Sequence, residues 1–159
     1  MLSETTKARI EHAIDTRSVG FGVWLVRRTR GRATQLWHRR TIVLTTTGRR
    51  SGQPRTVLVQ VFQHGPDLFV VAANSGLANH PGWYFNLLAH PHVVGEVDGV
   101  RHRLVAEVVP EEERDRRWRE VVLRTAPDYA KYERRLGKVP PMFRLVPDAG
   151  GKALPTTER

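Results

Sequence analysis

Cysteine is absent from the 159 residues. Disulfides, thiol nucleophiles, iron–sulfur clusters and cysteine-ligated zinc are therefore excluded, and the composition suits a reducing cytosol. Long apolar runs are missing too. The longest near the start, Val19–Val26, is broken by Gly20 and Gly22 and falls far short of the roughly 20 residues that span a bilayer. Glu4, Glu11 and Asp15 precede it and Arg27, Arg28, Arg30 and Arg32 follow, the wrong flanks for a secretion signal. A soluble, cytoplasmic protein is expected. Catalytic signatures are equally scarce. There is no nucleophile elbow or ordered Ser/His/Asp set, and His90-x-His92 has no nearby carboxylate to complete a metal site.

Acidic residues are in deficit. Lys+Arg number 26 against 16 Asp+Glu, a formal charge of +10, and nearly all of the excess is arginine. Such a balance raises the local concentration of anions, and the forked guanidinium suits phosphate or carboxylate. Nucleic acid is not the expected partner, because no recognised nucleic-acid module accompanies the charge. The basic run Arg114, Arg116, Arg117 and Arg119 follows three glutamates and is explained by pairing along one helix.

The chain length fits one domain. Residues 1–40 read as an N-terminal helical segment, with a helix over Ser3–Ile14 and one or two more over Val19–Arg40. Strands are predicted at Thr41–Thr47, Arg55–Gln63, Leu68–Ala73, Val93–Val97, Val100–Val109 and Met142–Val146. Asp98-Gly99 carries a type I′ hairpin signature. Trp83–Ala89 reads as a short helix. A later helix opens at Pro110, with Trp118, Val121, Val122 and Thr125 on its inner face, and another runs from Pro127 to Leu136. Mostly hairpin-connected strands with helices at the start and late in the chain imply a mainly β (α+β) antiparallel barrel or sandwich. Residues 41–147 would form it, and 148–159 a flexible tail.

Two segments could carry chemistry. In Thr45–Arg55, Gly48 and Gly52 permit a tight turn with converging amides, and Arg49, Arg50, Ser51 and Arg55 add donors. Residue types alone leave an anion site and a solvated hairpin turn equally open. In Ala72–Asn86, small residues end a strand and an aromatic turn opens a helix, so a flat ring and a phosphate could be accommodated. Trp83 and Leu87 read first as core anchors; Asn74, Tyr84 and Asn86 are the stronger candidates for ligand contact.

Taken together, Leu44–Arg55, His80–Leu87 and Pro127–Tyr132 resemble the deazaflavin-dependent nitroreductase family over about residues 41–147. The resemblance implies a split β-barrel of the flavin-reductase or FMN-binding type, and coenzyme F420 as a phosphate- and polyglutamate-bearing hydride donor. It implies that Gly48, Arg49, Arg50, Ser51 and Arg55 hold the phosphate and carboxylates. Thr56, Val57, Leu58, Val59 and Gln60 would then line the deazaflavin ring, with Val71, Ala72, Ala73 and Asn74 flanking its other part. Gly82, Trp83, Tyr84, Phe85 and Asn86 would close the phosphate side, while Tyr129 and Tyr132 shape the acceptor pocket. Active nitroreductases place tyrosine at Gln60, serine at Ala73 and tyrosine at Ala126, so quinone or enone reduction is favoured over nitroaromatic reduction. The alternatives are an FMN-binding split-barrel oxidoreductase and a non-catalytic protein that binds a cofactor or docks on anionic membrane through Arg27–Arg40. A homodimer is also expected.

Overall fold

The computed structural model describes residues 20–29, 32 and 39–149. The expected helix over Ser3–Ile14 lies outside them, as does most of the segment after residue 29. A helix over 20–28 is described and is called α1.

Six antiparallel strands close into a barrel in the order β1-β2-β3-β6-β5-β4. They are β1 Thr41–Thr47, β2 Pro54–His64, β3 Asp67–Val71, β4 His92–Val97, β5 Val100–Val108 and β6 Met142–Pro147. Alternation builds the interior, since successive side chains of a strand point to opposite faces. Ile42 and Leu44 of β1, Val61 of β2, Leu68 and Val70 of β3, Leu104 of β5 and Leu145 of β6 join one buried cluster. The β4–β5 hairpin turns at Asp98 (φ 51°) and Gly99 (φ 79°), both left-handed, as a type I′ turn requires.

The helices cover what the strands leave open. Helix α2, Gly82–Ala89, sends Leu87 and Trp83 into the barrel core. Helix α3 runs from Glu111–Arg117 through a π-helical turn at Trp118–Val122 to Leu123–Thr125, and α4 spans Ala130–Leu136. They bury Phe62, Phe69 and Met142 on the outer face of β2, β3 and β6. Trp118 is fully buried there, and its indole N–H donates to Glu133 Oε2 at 2.7 Å, which meets the need of a buried indole for an acceptor. Helix α1 packs Val23 and Val26 on Val43 and Leu58.

Three local expectations shift. The third strand ends at Val71 rather than Ala73, because the Ala72 N–H turns to the Pro141 carbonyl at 2.8 Å. Pro110 caps the late helix in extended conformation instead of opening it. Thr125 is exposed, with its hydroxyl donating back to the Val121 carbonyl at 2.8 Å.

Gly95 of β4 marks how tightly the interior is filled. A Cβ there would lie 2.7 Å from Ile42 Cδ1 and 2.8 Å from Leu104 Cδ1, both fully buried. Gly95→Ala should therefore destabilise the fold by about 1–3 kcal/mol through overpacking, measured by urea denaturation. Wild-type stability would show that the barrel interior has slack.

Candidate active site

The turn between β1 and β2 is held shut by its own backbone. The Gly48 N–H donates to the Gln53 carbonyl, and the Gly52 N–H to the Gly48 carbonyl, each at 2.8 Å. A Cβ at position 48 would meet Ser51 Oγ at 2.5 Å and the Gln53 carbonyl oxygen at 3.2 Å, so a larger residue there would displace the Ser51 side chain. Beside the turn lies a cavity of about 450 Å³, lined by Thr46, Gly48, Arg49, Arg50, Ser51, Arg55, Thr56, Val57, Gly82, Trp83 and Asn86. Three guanidinium-bearing residues border it and, among the described residues, no carboxylate does. Gly82 and Trp83 also bring the first turn of α2 to its rim, where helix N–H groups lack intrahelical partners.

Asn86 joins the turn to the barrel. Its Oδ1 accepts the Arg49 backbone N–H at 3.0 Å, and its Nδ2 donates to Thr46 Oγ1 at 3.0 Å. Thr46 Oγ1 in turn donates to the Arg55 carbonyl at 3.2 Å. Asn86 and Thr46 are both buried, so the bond between them is shielded from water, while its continuations to Arg49 and Arg55 are part-buried. The Arg49 guanidinium lies 4.5 Å from the centre of the Phe85 ring, which fixes its direction. Close by in sequence, burial and then the positive Lys138 hold the His80 imidazole below its usual pKa, while its ring packs 4.2 Å from Tyr84.

A gap in the strand pairing continues away from the turn. β2 pairs with β1 along Pro54–Gln60 but with β3 only along Val61–His64. Beyond Val70 the third strand follows β6, through Val71 opposite Met142. Alternation of the ladder then leaves the outward backbone groups of Thr56 and Leu58 without a strand partner among the described residues. Val71, Ala72, Ala73 and Asn74 lie on the opposite side of this divergence, the first three buried.

The remaining predicted residues fall in different places. Val57 and Val59 pack against the barrel core, and Leu58 against α1. Gln60 Oε1 accepts from Arg39 at 3.3 Å. Arg39 also pairs with Asp128 at 2.8 Å, and this hydrogen bond, against the opposing effect of burial, raises its pKa. Tyr84 is not on the cavity; it packs against Phe143 with ring centres 5.7 Å apart. Phe85 lies beneath Arg49. Tyr129 and Tyr132 are together, 5.0 Å between ring centres, in the outer cluster that also holds Ala73, Ala126 and Phe62.

Thr46 was not foreseen as a site residue, although a signal existed. It shares the buried face of β1 with Ile42 and Leu44, and a hydroxyl at an inward position of a strand calls for a partner. Arg39 and Asp128 carried no such mark, since their pairing joins distant parts of the chain.

A closed antiparallel barrel in which β2 and β3 diverge beside a cationic turn is the architecture of a split β-barrel. A family model described as F420H(2)-dependent quinone reductase matches residues 19–146. An F420H(2)-dependent quinone reductase of Mycobacterium tuberculosis strain H37Rv is 33% identical over 107 residues, 66% of this chain and 72% of that protein. A solved F420-H2 dependent reductase superposes with a TM-score of 0.61 at 29% identity, covering 67% of this chain and 93% of the other. Another solved structure, described as a domain-swapped dimer, gives 0.60 at 29% identity over 67% of this chain and 79% of the other. The chain belongs to the F420H(2)-dependent quinone reductase family, an oxidoreductase family whose cofactor is coenzyme F420. The expected nitroreductase kinship is thereby redrawn toward a related, quinone-reducing family. The match also reaches back to residue 19, beyond the expected limit near 41.

Asn86→Ala should cost about 1–3 kcal/mol of stability, because it removes the acceptor of the Arg49 N–H and leaves the buried Thr46 hydroxyl beside a void. Urea denaturation gives the measurement, and an unchanged midpoint would count against the bridge.

Proposed function

We propose that this chain transfers a hydride from reduced F420 to a quinone, with the cofactor's acidic tail in the arginine cradle and its ring along the unpaired edge of β2. The observation that carries this reading is the cavity at one end of that edge, bordered by three arginines and, among the described residues, by no carboxylate. The donor set fits the group: guanidinium forks, a serine hydroxyl and helix-terminal amides match phosphate and carboxylate oxygens. Bound in its reduced form, F420 supplies the hydride from C5 of its ring.

The protein's own contribution is placement and polarity. Arg50 and Arg55 offer charge to the tail, while Arg49, stacked on Phe85, keeps a fixed direction. The outward amide and carbonyl of Leu58 and Thr56 offer hydrogen bonds to a flat heterocycle. Gln60 and the small Ala72 and Ala73 border the same divergence. The run of β2 from Arg55 to Gln60 spans about 17 Å at roughly 3.3 Å per residue, a length suited to separating a charged tail from a reacting ring. Beyond it, Tyr129 and Tyr132 bring hydroxyls to the acceptor side, where a reduced quinone oxygen takes up a proton. Alanine at positions 73 and 126 offers no hydrogen bond there, which favours a quinone over a nitro compound.

Assignment of 41–147 to one cofactor-binding unit and of 1–40 to a helical segment belongs to the same proposal. A homodimer is supported at one remove by the similar structure described as domain-swapped. No helix among the described residues is long and apolar enough to cross a membrane.

Mixing the purified chain with reduced F420 and a menaquinone analogue should oxidise the cofactor, followed by its absorbance. Inertness toward every quinone would overturn the acceptor assignment, and a protein that purifies with FMN and ignores F420 would overturn the cofactor placement. Arg55→Ala should weaken F420 binding by about 1–3 kcal/mol, the loss of a charge-assisted contact. Unchanged affinity in a fluorescence titration would move the tail elsewhere.

A further inference from the structure

The far wall of the gap beside β2 contains a turn in an unusual conformation. Asn74, Ser75 and Gly76 take φ values of 44°, 55° and 77°, three left-handed residues in succession. Only the glycine adopts this region without a Cβ penalty. Strained backbone of this kind persists where its surroundings over-determine it, and it clusters at functional sites.

Arg135 of α4 supplies the determinant. Its Nη1 donates to the Ser75 carbonyl at 3.0 Å. Its stem fills the space over Gly76, where an added Cβ would meet Arg135 Cδ at 2.7 Å and Cβ at 3.0 Å. The Gly76 N–H donates to the Ala73 carbonyl at 2.8 Å and the Leu77 N–H to the Asn74 carbonyl at 3.0 Å, which closes the turn. Asn74 Nδ2 donates to the Asn79 carbonyl at 2.6 Å. A carbonyl accepts only from a donor, so this bond fixes which way the amide faces. The other amide atom, Oδ1, is buried and has no hydrogen-bond partner among the described residues. A buried acceptor left unmatched is costly.

We propose that Arg135 is a positioning residue that clamps the Asn74–Gly76 turn so that Asn74 Oδ1 accepts a hydrogen bond from the N–H-bearing edge of the ring held in the gap. The inference rests on the placement of F420 along β2 and deepens it. It also links two walls of the site, because the helix that carries the clamp carries Tyr132 as well.

Titration of the full chain with oxidised F420, followed by deazaflavin fluorescence, tests the proposal. Arg135→Ala and Asn74→Ala should each raise Kd about five- to tenfold, and the double variant should be no worse than either single one, as expected for residues acting through one contact. Arg135→Lys, which keeps the stem and one donor, should recover most of the affinity. Amide hydrogen exchange should quicken at Gly76 and Leu77 in Arg135→Ala while the barrel strands keep wild-type protection. Unchanged affinity in the single variants, additive losses in the double, or loss of protection throughout the barrel would each overturn the clamp. A wild-type chain that does not bind F420 would overturn the proposed function as well, whereas a binding wild type with an indifferent Arg135→Ala overturns the clamp alone.

Discussion

The geometry of this site depends on one side-chain amide. Asn86 accepts from the Arg49 backbone with its oxygen and donates to Thr46 with its nitrogen, so a turn that would otherwise swing on two glycines is tied to a buried strand position. Without that tie, Arg49 and Arg50 would be held only by the turn's own backbone bonds, while Arg55 is fixed by the pairing of β2 with β1. Held in place, they border a common cavity. Burial makes the bridge effective, because water cannot compete for the same donors and acceptors. Position 86 serves this purpose only because Leu87, its neighbour on α2, is anchored in the barrel core.

The electrostatics follow from what is left out of the cavity as much as from what is placed in it. Elsewhere several arginines are matched: Arg27 with Glu96, Arg40 with Asp98, Arg117 with Glu113. Burial alone would push the Glu113 carboxyl up, but the hydrogen bond from Arg144, with further help from Arg117, holds it below its ordinary range. The cradle's arginines border the cavity, and no carboxylate among the described residues lines it. Three arginines are thus set together at one end of β2, while others on the barrel wall and α3 are paired with carboxylates.

Much of the barrel was legible in the sequence because its signals are local. β-Branched runs, the Asp98-Gly99 turn and Pro110 before three glutamates each specify an element within a few residues, and all six strands lie where those signals put them, to within a residue or two at most ends. The arginine turn was legible for the same reason. What escaped were relations between distant residues: Thr46 with Asn86, Arg39 with Asp128, Arg135 with Ser75. No spacing rule encodes these, since they arise only when the barrel closes and the late helices settle on its outer face. Tyr84 shows the converse. Beside Trp83 and Asn86 it read as a ligand contact, yet helical geometry turns it toward Phe143.

The divergence of β2 from β3 has a cost that lies outside chemistry. A bare strand edge is a template for strands of other chains, and proteins guard such edges with proline, charge or an occupant. Here Pro54 opens the strand without an amide hydrogen, and Arg55 follows it with a charge, so the seam discourages a stranger's backbone at the end where the tail would enter. Farther along, only what lies in the seam can quiet it. A chain of this design would be expected to resist self-association best when its small-molecule guest is plentiful in the cell that makes it.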